Sequence, residues 1–166
     1  HRMHHAYADS EKDPHSPKFS PNLFKMMWDT RLIYNDINYK KADIPEKFKA
    51  GAVQWQAFEN FADTWANRLF WSFFTIGIYI FFATQWWMWL LLPIHLVMAP
   101  AQGVLVNWFS HKIGYRNFSV KDTSTNSLPF DFLLLGENYH NNHHKFGGRA
   151  NFGGIRWHEI DITYQI

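Results

Sequence analysis

The chain has 166 residues, the length of one domain. Its formal charge of +2, with no basic stripe interleaved with aromatics, excludes a nucleic-acid-binding protein, and the absence of cysteine excludes disulfides, thiolate ligands and a protein-held iron–sulfur cluster. Phe, Trp and Tyr make up 19%, high for a soluble protein, and the surplus lies in the middle of the chain.

Residues 1–5, His-Arg-Met-His-His, read as the tail of a helix. At about 100° per residue, positions i, i+3 and i+4 fall on one side, so His1, His4 and His5 can aim at one point. The chain opens inside this motif without an initiator methionine, which reads as an N-terminally truncated fragment. Residues 9–22, with Pro14, Pro17 and Pro21, read as an ordered loop, and 23–34 as a helix. Pro45-Glu46 looks like a helix start. From there 48–65, with Phe58, Phe61 and Trp65 at helical spacing, reads as one amphipathic helix, lying on a membrane surface or packed on protein.

From Leu69 to Phe109, 41 residues counted inclusively, there is no Asp, Glu, Lys or Arg. As helix this run is roughly 60 Å long, about twice a bilayer's hydrocarbon core. Two crossings are expected, 69–83 and 86–109, joined by a turn at Thr84-Gln85. The first begins nearer Trp65, with Arg68 snorkelling. Trp65, Trp71, Trp86, Trp87 and Trp89 sit where interfacial aromatic belts occur, and Pro93 and Pro100 should kink the second crossing. A buried hairpin of a soluble protein is the alternative, and so long an uncharged run disfavours it. His95, inside the run, reads as a neutral imidazole hydrogen-bonded within the bundle. All 16 Lys and Arg lie outside the run, so 1–68 and 110–166 share one face, cytoplasmic by the positive-inside tendency.

Beyond the run stands His111, with Asn107 one helical turn before it. Residues 114–126 read as a polar connection. A helix from about Pro129 is expected to carry a second H-x-x-H-H, His140-Asn141-Asn142-His143-His144, and the glycine-rich tail, including a surface His158, to be irregular. Six of the ten histidines fall in the two motifs. Imidazole suits Zn, Cu, Fe and Ni, so spacing does not choose the metal. A zinc protease needs Glu beside the first His, where this chain has Arg2 and Asn141. A structural zinc site closes with four ligands, often Cys. Six imidazoles exceed that need, and a dinuclear iron centre fits best. Asn107 could hold a metal-bound water or orient His111, and Glu137 could orient an imidazole.

The stretches HRMHHAYADSEKDPHS (1–16), NWFSHKIGYR (107–116) and GENYHNNHHKF (136–146) resemble the membrane fatty acid desaturases, in their acyl-CoA Δ9 branch with its bacterial relatives. The resemblance covers nearly the whole chain. It implies an all-α integral membrane protein: two transmembrane helices of a four-helix fold, with cytoplasmic segments 1–68 and 110–166 holding a di-iron centre. Seven of the family's nine ligands match His1, His4, His5, His111, His140, His143 and His144, and Asn107 matches its water-holding asparagine. Two Fe2+ ions, O2, a fatty acyl-CoA or acyl-lipid substrate, and cytochrome b5 or ferredoxin as electron donor are likewise implied. The compartment would be the bacterial inner membrane, or the endoplasmic reticulum of a eukaryote. His15 belongs to the family pattern but not to its ligand set. The family's first box, H-x-x-x-x-H, is absent from these residues, and Gly147 stands where the family usually has Pro; the first departure predicts that this fragment alone is inactive. A di-iron hydroxylase of the same superfamily and a non-catalytic metal-binding membrane protein are the competing readings.

Overall fold

A computed structural model describes residues 1–51, 53, 55–132 and 134–166. Its regular elements are helical: α1 (Arg2–Tyr7), α2 (Leu23–Asn38), α3 (Glu46–Lys49), α4 (Gln56–Ala62), α5 (Trp65–Phe82), α6 (Leu92–Asn107), α7 (His140–Lys145) and α8 (Ile162–Gln165). Short 3-10 turns at Trp86–Leu91 and Phe109–His111 bracket α6. The chain divides into two compact units, one of His1–Asp43 with Gln102–Ile166 and the other of Ile44–Ala101.

Local chemistry explains most boundaries. Asn22 caps α2, accepting from the Lys25 backbone N–H at 2.9 Å, and Lys25 pairs with Asp29 one turn on. The helix runs four residues past the expected end at 34. The single helix expected over 48–65 does not form. Gly51 takes φ +69, in the left-handed region that ends helices, so α3 stops at Lys49. A second break precedes Trp65. There the Thr64 hydroxyl donates to the Phe61 carbonyl at 2.7 Å and accepts from the Asn67 N–H at 3.2 Å, capping α5. α5 therefore starts at Trp65, as expected.

In the 44–101 unit, α5 is polar only where its groups are satisfied. The Ser72 and Thr75 hydroxyls donate to carbonyls one turn back, both at 2.9 Å. Arg68 pairs with Asp63. Tyr79 is hydrogen-bonded to His95 at 2.7 Å, which gives that histidine a hydrogen-bond partner within the apolar run. Pro93 does not kink its helix. It lies in the first turn of α6, where no intrahelical N–H is needed, whereas Pro100 is inside the helix. Trp86–His111, 26 residues, is the one described segment long and apolar enough to cross a bilayer, and none of its apolar 18-residue window is buried within the protein.

The other unit has a core made mostly of polar groups. Asn126, Asn138, Asn141 and Asn142 are buried alongside Tyr139, Met26, His4 and His140. The helix expected from Pro129 is replaced by turns, and α7 begins only at His140. Asp131 is the cause: its carboxylate accepts from the N–H groups of Leu134, Gly136 and Asn138 at 2.7, 2.7 and 3.0 Å. Donors taken by a side chain are unavailable to a helix. Leu135 and Gly136, at φ +54 and +101, complete the break.

Candidate metal centre

His1, His4 and His5 come from α1 and its leading edge, His111 from the 3-10 turn after α6, and His140, His143 and His144 from α7. The structure brings all seven together, in two groups. His4, His111, His140 and His144 form one, with each residue offering a ring nitrogen within 4.8 Å of the others; His1, His5 and His143 form the second. In the first, Nε2 separations are 3.0 Å (His111–His140), 3.1 Å (His140–His144) and 3.2 Å (His4–His144). In the second they are 2.8 Å (His5–His143), 2.9 Å (His1–His5) and 3.3 Å (His1–His143).

Those separations suit ligands of a common ion. Metal–nitrogen bonds of about 2.0–2.1 Å, meeting at octahedral to tetrahedral angles, put nitrogens about 2.9–3.4 Å apart. Proton bookkeeping points the same way. His4 Nδ1 lies 2.8 Å from Asp13 Oδ1 and His144 Nδ1 3.1 Å from Asp122 Oδ2. His111 Nδ1 is 3.3 Å from Thr123 Oγ1, whose own proton goes to Asp9 Oδ2 at 2.7 Å. Each Nδ1 therefore donates, and each Nε2 turns a lone pair into the cluster. Three lone pairs facing one another repel unless a cation stands among them. The residues present thus fit a metal, and two groups fit two ions.

Electrostatics keeps the rings in the ligand form. Burial and neighbouring imidazoles hold His140 well below the usual histidine range, and take His143 to about 4 and His5 to about 3. Burial also lowers His144, against the opposing pull of Asp122. Burial works against the charge of Asp9 and Asp122. The His111 ring 3.8 Å away and hydrogen bonds from Thr123 and Ser16 for Asp9, and hydrogen bonds from His144 and Ser124 for Asp122, outweigh it and hold both carboxyls below the usual range. Neutral rings backed by ionised carboxylates are what a cation requires.

The non-histidine positions of the second motif are structural. Asn141 Oδ1 accepts from the N–H groups of Asn117 and Phe118 at 2.9 and 2.8 Å. Asn126 Oδ1 accepts from the N–H groups of Asn141 and Asn142 at 3.0 and 3.4 Å, capping α7 from outside. Behind them Glu159 is buried and fully engaged. Its Oε1 accepts from Tyr115 (2.7 Å), Asn117 (2.6 Å) and Asn126 (3.3 Å), and its Oε2 from Asn142 (3.0 Å) and the N–H groups of Arg156 (3.0 Å) and Ile155 (3.2 Å). This anchor had no signal in sequence, because no spacing connects Glu159 to a segment 17 residues earlier in the chain.

Two expected residues make no side-chain hydrogen bond to the clusters among the described residues. Asn107 ends α6 one turn before His111, half-buried, and its side chain makes no hydrogen bond among the described residues. Glu137 makes none to an imidazole among the described residues. Burial, with Asp161 and Asp131 nearby, raises its pKa, and the carboxylates that meet imidazoles directly are Asp13 and Asp122. His15, outside the expected ligand set, is buried and stacked on His4 at 4.2 Å between centroids. It lines a cleft of about 360 Å³ between the 10–20 loop and α2. His158 is partly exposed and edge-on to Phe130.

The profile of one family, described as fatty acid desaturase, matches residues 1–166. The Delta-9 desaturase-like 5 protein of Arabidopsis thaliana is 33% identical over 178 residues, covering 100% of this chain and 53% of that protein. The sn-1 stearoyl-lipid 9-desaturase of Anabaena variabilis is 32% identical over 174 residues, with 99% and 57% covered. The Delta-9 acyl-lipid desaturase 2 of Arabidopsis thaliana is 30% identical over 173 residues, with 100% and 52% covered. The chain thus spans about half the length of the curated relatives it matches. No solved structure matches it significantly.

Proposed function

The chain belongs to the fatty acid desaturase family, and on that premise we propose that it carries the di-iron site of a membrane desaturase that places a cis double bond, at Δ9, in a saturated acyl chain borne by coenzyme A or a lipid. The observation that carries this is the gathering of seven imidazoles, from three separate stretches of chain, into two groups at ligand spacing. His4, His111, His140 and His144 would hold one iron, and His1, His5 and His143 the other. Iron bound there supplies oxidation of unactivated methylenes with O2, chemistry that no side chain provides.

The chain's own residues do the rest. Asp13 and Asp122 fix the tautomers of His4 and His144, and Asp9 does so for His111 through Thr123. The Asn126–Asn141–Asn142–Glu159 network holds α7 at a set angle, so its three imidazoles keep their aim. The unengaged amide of Asn107 would hold a water beside His111. The apolar Trp86–His111 segment supports a membrane location. With α5 as its partner it would make a hairpin that returns the chain to the cytoplasmic side, where 1–68 and 110–166 would meet. Electrons would come from cytochrome b5 or a ferredoxin, since the chain holds neither flavin motif nor thiolate cluster.

The test is lipid analysis by mass spectrometry after expression with an electron donor, with the matching upstream region of a relative supplied if needed. Acyl chains lacking two hydrogens at Δ9 are expected, from coenzyme A or lipid carriers according to which is fed. Chains that have gained oxygen would make the protein a hydroxylase. Asn107→Ala should keep the helical circular-dichroism spectrum and lose at least about tenfold in turnover; normal turnover would remove Asn107 from the site.

A further inference from the structure

The glycine-rich tail forms no regular element before α8, yet it is held firmly where it passes α7. There Phe152 lies over the ring of His143, with centroids 4.1 Å apart and 32° between the planes. Its backbone is fixed on both sides. The Phe152 N–H donates to Asp161 Oδ2 at 2.9 Å, and the Phe152 carbonyl accepts from Asn142 Nδ2 at 2.9 Å. Asn142 directly precedes His143 in α7, so one turn of helix both presents the imidazole and grips its cover. The loop is tied again just beyond. The Gly154 N–H donates to the Glu159 carbonyl at 2.7 Å, and a Cβ at Gly153 would collide with that same carbonyl. Asp161 and Glu159 are themselves buried, so the support does not yield.

The torsion that aims an imidazole is the one about Cβ–Cγ, and it is broad, with no narrow staggered well to hold it. A binding constellation needs its groups within about 10–20° of the productive direction, so something outside the ring must hold it. A ring is held by what bonds its edge or by what covers its face, and Phe152 covers a face of His143. The contact also responds to metal. An imidazole that has given its lone pair to a cation is electron-poor, and the negative face of a phenyl ring attracts it more strongly than it attracts the free base. Resting on the di-iron reading above, we propose that Phe152 is a positioning residue of the metal centre: its ring fixes the direction of the His143 lone pair and favours the loaded state over the empty one. It acts through His143. Nothing in the histidine spacing marks it, because Asp161, Asn142 and Glu159 set its place.

The detergent-solubilised chain is titrated anaerobically with Co2+, an ion that imidazole binds and whose visible ligand-field bands report the geometry of its ligands. Phe152→Leu keeps the apolar bulk and removes the aromatic face. It should shift those bands and weaken the binding of one ion about 2–10-fold, the worth of an aromatic pair, with native circular dichroism. Phe152→Tyr keeps the face and should match the native chain in both readouts. Phe152→Met, flexible and apolar, takes the place of Phe152→Leu if that variant does not fold. Unchanged bands and affinity in the folded variant overturn the proposal, even where the metal-free chain melts earlier, since Phe152 would then be packing alone. So does a Phe152→Tyr chain as impaired as Phe152→Leu, because the ring face would not be the cause. A native chain that takes up no Co2+ overturns the metal-centre reading and this proposal with it. The expected shift in a chain that yields no desaturated lipid would sink the desaturase reading and leave the role of Phe152 standing.

Discussion

Single residues in this protein are decided by hydrogen-bond accounting more than by hydrophobic burial. Glu159 shows this best. A buried carboxylate is costly unless its lone pairs are filled, and here six donors fill them. Burial alone would raise its pKa; hydrogen bonds from Tyr115, Asn117, Asn142 and the Arg156 N–H win and lower it. Its folded pKa thus lies below the unfolded value near 4.5, so the unfolded chain takes up the proton first. The stabilisation from Glu159 is complete above that pH and is lost as pH falls below it. Glu159→Gln points an amide at groups that are themselves donors, and should cost about 1.5–3 kcal/mol at pH 7. The gap in melting temperature between the native chain and the variant should narrow as pH falls below about 4.5. A gap independent of pH would show that the carboxylate is not ionised in the fold.

Elements here end where a side chain or a glycine takes over the backbone's bonds. The turn before α7 depends on Gly136 at φ +101, where a Cβ would stand 2.5 Å from Asp161 Oδ1. Asp161 cannot simply withdraw, because it accepts from the N–H groups of Phe152 and Tyr164 at 2.9 and 3.1 Å. Gly136→Ala should therefore destabilise by about 1–3 kcal/mol, from backbone strain with the clash added to it. A thermal melt of the variant checks this, and an unchanged midpoint would mean the turn has another conformation within reach. The same local rules explain which elements were legible. The helix from Leu23 follows a proline-rich loop and the one from Trp65 leads into the uncharged run, so both could be read, and the Asn22 and Thr64 caps that fix their first residues were seen only in the structure. The break at Gly51 and the Asp131 turn override an apolar pattern that by itself continues as helix. The ligand-bearing α7 is only six residues long, too short to persist without the contacts of Asn126, Asn117 and Glu159.

At the scale of the whole molecule, the histidine-bearing unit has a polar core whose lone pairs converge on two points. Such a core is stabilised by whatever cation fills it, since binding to the folded state alone adds about 4 kcal/mol when free ion is 1,000 times the dissociation constant. Fe2+ should accordingly raise the melting temperature of the detergent-solubilised chain, and a chelator should reverse the rise. A melting temperature indifferent to metal would count against both clusters as binding sites. The 26-residue apolar segment joins this unit to a second one whose exposed aromatic side chains, among them Phe70, Phe73, Phe81 and Trp86, are suited to lipid rather than water.

The amino-acid sequence by itself determined the seven imidazoles, their grouping on helical faces, the long uncharged run and the start of α5. These are one-dimensional signals: a spacing and an absence of charge. Only the tertiary structure decided how seven imidazoles divide into four and three, which carboxylates stand behind them, and that Glu159 and Asn126 hold α7 in place. The physical reason is that a ligand is marked by its own chemistry, whereas a partner that orients it is marked only by where the chain folds. Asp9, Asp13 and Asp122 are ordinary loop aspartates until Thr123, His4 and His144 arrive beside them.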